Sequence, residues 1–217
     1  MNILEIIKQR HSVRQYKDQE IQETVRISLE KSISQINKES GLNIQVLFDE
    51  PKCFNCKMAH YGKFSGVSNY IALIGSKSSS LEETCGYYGE KIVLIAQELG
   101  LNTCWVAMTR GKSAAKIQSG EKLVCIIALG YGENQGTPHK VKSIGEVCNW
   151  EGNMPEWFMT GIEAALLAPT AINQQKFYFS LKGGTVKAMV KGIGFCTKID
   201  LGIVKYHFEA ASGHKVI

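Results

Sequence analysis

The sequence predicts an α+β fold in which helices pack on a sheet as a sandwich, and three observations carry that reading. Segments with apolar residues at helical spacing alternate with short apolar or alternating runs that read as strands. Glycine and proline punctuate the junctions, as at Gly41, Gly100, Pro155 and Pro169. With 217 residues and 44% hydrophobic content, the chain is long enough to bury a core without covalent staples.

Taken in order, Asn2 can cap a short helix whose Ile3, Leu4, Ile6 and Ile7 face inward and which ends before Arg10. From Asp18 onward, Ile21, Val25, Leu29, Ile33 and Ile36 recur at helical spacing, and Gly41 is placed to terminate that helix. Residues 43–48 alternate like a strand, 51–68 have no regular period, and 70–75 form a short apolar strand. A buried helix is expected over 83–99, closed by Gly100, because Ile92, Val93, Ile95, Ala96 and Leu99 leave little polar face. Residues 104–108 and 123–129 read as strands joined through a short helix at 113–117. The loop from Gly130 to about Asn153 is rich in Gly, Asn and Pro and is the best boundary between two halves, 1–150 and 151–217. Pro155 then sits where a helix can begin, with Phe158, Ile162, Ala165 and Leu166 as its apolar stripe and Pro169 as its stop. A strand at 177–181, a short helix at 185–191 and a last helix at 202–211 complete the chain.

The net charge of +5 is spread thinly, and no run of Lys and Arg reaches four. A nucleic-acid footprint would cluster on one face, so the balance argues against that class and fits a phosphorylated small molecule. The amino-terminal residues mix Glu5 and Lys8 among apolar positions, unlike a signal peptide, and the longest apolar runs fall far short of a membrane span. Seven cysteines without a framework of regular spacings read as reduced thiols, so a cytoplasmic protein is expected.

Two segments carry chemistry. Arg10-His11-Ser12-Val13-Arg14 gathers two guanidiniums, an imidazole and a hydroxyl into five residues after a helix. Arginine forks pair bidentately with phosphate oxygens, so this turn can clamp a phosphate; a solvated basic turn is the bland alternative. Ala168-Pro169-Thr170-Ala171-Ile172-Asn173-Gln174-Gln175 combines a helix stop with three consecutive side-chain amides. An amide offers donor and acceptor together and matches the mixed edge of a pyrimidine or flavin ring, although it can equally satisfy nearby backbone.

Other features are weaker. Gly130-Tyr131-Gly132 follows a strand but leads into a proline-containing loop, so it is no dinucleotide motif. Cys53 and Cys56 form half of a zinc or redox motif with His60 nearby; a plain thiol pair is favoured, and no metal is expected. Cys104 and Cys125 lie in apolar strands and read as core.

The Arg-x-Ser-x-Arg turn, the Ala-Pro-Thr-x-x-Asn segment, a buried helix ending Glu98-Leu99-Gly100-Leu101 and a strand running into Gly130-Tyr131-Gly132 together resemble the nitroreductase family. The resemblance covers most of the chain except about 50–64. In ordinary members the Ala-Pro-Ser segment follows the Arg-rich turn by a few tens of residues and reaches into the partner subunit's flavin site. Here it appears only after residue 155. That departure resembles a subset in which one chain imitates the dimer: a monomer with an internal pseudo-twofold, with a homodimer as the alternative. A faint internal echo accompanies it, since Tyr87-Tyr88-Gly89-Glu90-Lys91-Ile92 is spaced like Asp200-Leu201-Gly202-Ile203-Val204-Lys205.

The resemblance implies an FMN cofactor, with Arg10, His11 and Ser12 on the phosphate and ribityl chain and Arg14 near flavin N1 and O2. Lys140 and Lys142 would complete the phosphate site. Pro169, Thr170, Ala171 and Asn173 would pack on the ring and its pyrimidine edge, and the backbone of Ala107 and Met108 would lie near N5. It further implies NAD(P)H as hydride donor and a small-molecule electron acceptor such as a nitroaromatic or quinone. A flavin storage or sensor protein would need the same contacts, and a degenerate scaffold binding no flavin is a third reading. No nucleic acid and no membrane is expected as partner.

Overall fold

Asn2 accepts the Leu4 amide at 3.2 Å, so the first helix, α1 (Ile3–Gln9), begins where the sequence places its cap. The computed structural model describes residues 2–149 and 152–217; the expected boundary between residues 150 and 151 lies outside the described residues. The chain forms two compact units, one comprising Arg10–Leu81 and Ile92–Thr137, the other Met1–Gln9, Glu82–Lys91 and Pro138–Ile217.

The first unit is built on an antiparallel sheet. Its strands are β1 (Gln45–Leu47), β2 (Asn69–Ser76), β3 (Asn102–Val106) and β4 (Glu121–Gly130), in the order β1-β2-β4-β3. β2 is buried along almost its whole length, which explains its continuous apolar sequence: both faces of the central sheet are covered. Helix α2 (Glu23–Ser40) buries Leu29, Ile33 and Ile36. It ends on Gly41, whose φ of 70° is cheap only for glycine and whose amide returns to Asn37. A short helix α3 (Lys57–Tyr61) lies in the region without a sequence period. Val13, Tyr16, Phe54, Phe64 and Tyr70 are among the residues that fill the core on this side.

The expected helix at 113–117 is not formed. The Ala114 amide donates to the Tyr70 hydroxyl at 2.9 Å and the Lys116 amide to the Gln45 side chain at 2.9 Å, so side chains from other elements take the donors that a helix would have satisfied itself. β3 also begins and ends two residues before the expected 104–108.

Helix α4 (Leu81–Glu98) contributes its first part to the second unit and its last part to the first. Gly100 follows it with φ of 81°. The second unit adds α5 (Ile144–Val147), which carries a capping box between Ser143 and Glu146, and α6 (Glu156–Leu166). The hairpin β5 (Phe177–Lys182) with β6 (Thr185–Val190) and the last helix α7 (Thr197–Ser212) complete it. The expected helix at 185–191 is therefore a strand. Gly183 and Gly184 both have positive φ, the requirement of a two-residue hairpin turn, and pairing with β5 overrides the local pattern.

Phe158, Phe177, Phe179 and Phe208 are fully buried and form the core of this unit, with Phe179 stacked on Phe208 at 4.9 Å. Gly161 lets α6 approach α7, since a Cβ there would lie 2.5 Å from the Phe208 ring. A fully buried pair links α4, α6 and α7: His207 Nδ1 meets the Ala164 carbonyl at 2.9 Å and Nε2 meets Glu90 at 2.8 Å.

Helices α4 and α7 cross at two glycines in a reciprocal manner. A Cβ on Gly202 would lie 2.0 Å from the Glu83 carbonyl oxygen, and one on Gly86 would lie 2.1 Å from that of Ile199. Each glycine thus packs on the residue one turn before the other. The sequence echo aligns Gly89 with Gly202 as repeat positions, whereas the residue in contact with the Gly202 helix is Gly86, one helical turn before Gly89. Among the described residues no helix is long and apolar enough to cross a membrane.

Candidate functional site

Residues 10–16 run beside β3 in the first unit. Ser12 bridges Thr103 in parallel, the Val13 amide donates to the Thr103 carbonyl at 3.0 Å, and the Tyr16 amide donates to Ser65 at 3.0 Å. This extended course sends Val13 and Tyr16 into the core and leaves Arg14 exposed, with His11 and Ser12 half-buried. Arg10, at the head of the segment, is buried.

Cys104 of β3 lies next to this segment. Burial raises its thiol above the usual range, against the lowering pull of the Arg14 charge, a hydrogen bond with Ser12 and the Arg10 charge. Arg10, Ser12 and Arg14 therefore share one neighbourhood, and Cys104 stays a protonated core thiol as its sequence context predicts. The glycine-rich loop after β4 returns onto the same turn, because a Cβ on Gly136 would lie 2.7 Å from that of His11. Gly132 donates its amide to Asn102 at 2.9 Å, and no helix follows it, in keeping with the sequence reading. Ala107 and Met108 come directly after β3, Ala107 half-buried and Met108 exposed.

The second unit assembles the other expected residues. Beyond α6, Ala168 is buried and Pro169, Thr170 and Ala171 are half-buried. The Gln175 amide caps back onto the Thr170 hydroxyl at 3.1 Å. Asn173 donates to the Lys140 carbonyl at 2.9 Å and accepts from Gln175 at 2.9 Å, so its amide is engaged with the 140 segment. Lys142 donates its ammonium to the Gln175 carbonyl at 2.8 Å and its backbone amide to the Gln175 side chain at 2.9 Å. Lys140 remains exposed. Lys140, Lys142, Thr170 and Asn173 are thus joined through a residue the sequence reading leaves out of the site, the buried Gln175.

The sequence reading also leaves out Asp200. Buried at the start of α7, it accepts the Ala171 amide at 2.9 Å and the Gln174 side chain at 2.7 Å. Burial pushes its carboxyl up to about 6 against these two hydrogen bonds. No signal local to Asp200 in the sequence points to those partners.

Away from these segments, Cys53 is buried and Cys56 half-buried, both as thiols. Burial pushes the Cys53 thiol up to about 11, a direction opposed by the Arg110 charge, so it is no ready nucleophile. Among the described residues no group of three His, Cys, Asp or Glu side chains is placed to hold a metal ion.

Chemically, the first unit offers two cations, an imidazole and a hydroxyl suited to an anion, and the second a shaped loop with amide edges. Taken unit by unit, the cations and hydroxyl of the first suit a phosphorylated group, and the amide edges of the second suit a heterocyclic ring.

Comparison with solved structures places this fold. A "putative nitroreductase" of Thermotoga maritima MSB8 shares 24% identity, with 97% of this chain and 83% of that chain covered and a TM-score of 0.68. An FMN-dependent nitroreductase of Clostridium difficile R20291 is 20% identical over 70% of this chain and 98% of its own, with a TM-score of 0.50. A "putative nitroreductase" of Desulfovibrio desulfuricans, solved in complex with FMN, is 17% identical over 71% and 99%, with a TM-score of 0.52. No curated protein matches the chain. The family described as "Putative TM nitroreductase" matches residues 2–212, nearly the whole chain. The chain belongs to that nitroreductase family.

Proposed function

We propose that the chain is an FMN-dependent oxidoreductase that takes reducing equivalents from NAD(P)H and passes them to a small electron-poor acceptor such as a nitroaromatic or quinone. The observation that carries this reading is the gathering of Arg10, Ser12 and Arg14 along β3 in a member of this family. The relatives from Clostridium difficile and Desulfovibrio desulfuricans, one described as FMN-dependent and the other holding FMN, support the choice of cofactor.

In this reading Arg10, His11 and Ser12 hold the phosphate and ribityl chain. Arg14 would lie toward the pyrimidine side of the ring, where a cation favours the negative charge of the reduced form. Lys140 and Lys142 would add to the phosphate site, Pro169, Thr170, Ala171 and Asn173 would contact the ring, and the backbone of Ala107 and Met108 would supply an N–H donor to it. Bound FMN supplies the electron and hydride transfer, so the chain itself orients and excludes water and needs no obligatory side-chain acid.

We read residues 1–150 and 151–217 as two nitroreductase-like halves, one polypeptide standing for a dimer. The reciprocal contact of Gly86 and Gly202 supports this, because two helices that each present a glycine to the other's backbone make the kind of mutual contact a twofold interface has. The protein then works as a monomer, and its seven thiols suit the reducing cytoplasm.

The test is the absorbance of the purified protein. One FMN per chain is expected, bleached by NADH or NADPH and restored by a quinone. A colourless protein after reconstitution with FMN overturns the reading, and a bound flavin that neither nucleotide reduces turns it toward storage or sensing.

A further inference from the structure

The loop 170–175 is held in a shape that its own sequence disfavours. Ile172, Asn173 and Gln175 have φ of 48°, 55° and 45°, a left-handed region that a β-branched residue rarely adopts. The Ile172 side chain is 90% exposed, so burial of that side chain does not account for the conformation. Strain of this kind persists only where surrounding contacts over-determine it.

Asp200 supplies two of those contacts, at Ala171 and Gln174, while Lys140, Lys142 and Thr170 hold Asn173 and Gln175. One oxygen accepts the Ala171 amide at 2.9 Å, immediately before the strained isoleucine, and the other accepts Gln174 Nε2 at 2.7 Å, immediately after Asn173. Gln174 Nε2 also donates to the Phe195 carbonyl at 2.7 Å, which fixes the orientation of its amide. The carboxyl is only 3% exposed, and burial disfavours its ionised form. A group that is costly to keep charged, with both oxygens committed to one loop, serves the shape of that loop.

We propose that Asp200, acting directly and through Gln174, is the positioning residue that moulds loop 170–175 into the wall of the cofactor site, a role that rests on the flavin reading above. Asp200→Asn preserves size but turns one acceptor into a donor. That new N–H faces Gln174 Nε2, and rotating the Gln174 amide to relieve the clash would set its oxygen against the Phe195 carbonyl. The substitution therefore cannot keep all three hydrogen bonds.

The experiment compares wild type, Asp200→Asn and Gln174→Met at pH 8 by hydrogen–deuterium exchange of the apoprotein, thermal melting and FMN titration. Both variants are expected to exchange the amides of residues 171–175 about tenfold faster, with the rest of the chain unchanged, and to bind FMN about tenfold more weakly. Asp200→Asn should still melt close to wild type, because removing a buried charge offsets the lost hydrogen bond; a merely structural role would lower melting and affinity together. Gln174→Met carries the test should Asp200→Asn fail to fold. Unchanged exchange in the loop overturns the proposal, and so does wild-type FMN affinity in a variant whose loop has loosened. Failure of the wild type to bind FMN overturns the flavin reading instead, while loop exchange still decides whether Asp200 holds the loop.

Discussion

His207 and Asp200 are both buried ionisable residues of α7, and they meet the cost of burial differently. His207 has a partner on each ring nitrogen, one of them the carboxylate of Glu90, so the pair is satisfied internally. Asp200 accepts from two neutral donors, Ala171 and Gln174, and burial raises its carboxyl from 3.8 to about 6. Because the folded state then holds its proton more tightly than the unfolded chain, this group favours folding below about pH 4 and loses that contribution as pH rises through about 6. The stability of wild type relative to Asp200→Asn should therefore fall by roughly 3 kcal/mol between about pH 4 and pH 7, since a tenfold change in proton affinity corresponds to about 1.4 kcal/mol. Urea denaturation of both proteins across that range measures it, and a difference independent of pH would show that the carboxyl is not perturbed. At this scale the sequence is legible where neighbouring side chains are written as a short run. Arg10, Ser12 and Arg14 stand together in the chain and in the structure, whereas Asp200 lies 29 residues from Ala171 and 26 from Gln174, and no local pattern links them.

Among the elements, the crossing of α4 and α7 is the most demanding contact. A Cβ on Gly202 would meet backbone atoms of Glu83 and Tyr87 at 2.0 and 2.6 Å, and backbone in a helix cannot step aside like a flexible side chain. Gly202→Ala should lower stability by about 3 kcal/mol, the upper end of typical overpacking costs. Gly145→Ala, with nothing within 4 Å of its Cβ and a place inside α5, should be neutral or slightly stabilising and serves as the control. Equal melting temperatures for the two variants would remove the close crossing. Helices with long apolar stripes, such as α2 and α6, are readable because a period of 3.6 survives in the sequence whatever the helix packs on. The 185–191 segment is not, since its conformation is set by pairing with β5 through the Gly183-Gly184 turn. Residues 113–117 mislead for a related reason: their amides bond to Tyr70 and Gln45, far away in the chain.

For the whole molecule, the pseudo-dimer reading proposed above requires only one polypeptide for the flavin site, so that binding would be an intramolecular matter of high effective concentration. FMN affinity should then stay constant across a wide dilution series run beside sedimentation, while an affinity that falls as a dimer dissociates would place the site between two chains. The α+β class, most helices and strands, the two motif segments and the family were legible in the amino-acid order, because periodicity, caps and short motifs are local properties that need no partner to be read. The folded chain was needed to learn that Gly86 packs at the Gly202 crossing, that Gln175 ties Lys142 to Asn173, and that Asp200 accepts from Ala171 and Gln174. Each of those depends on which distant group supplies a hydrogen bond or fills a space, and a hydrogen bond between residues far apart in the chain leaves no mark in the order of either segment.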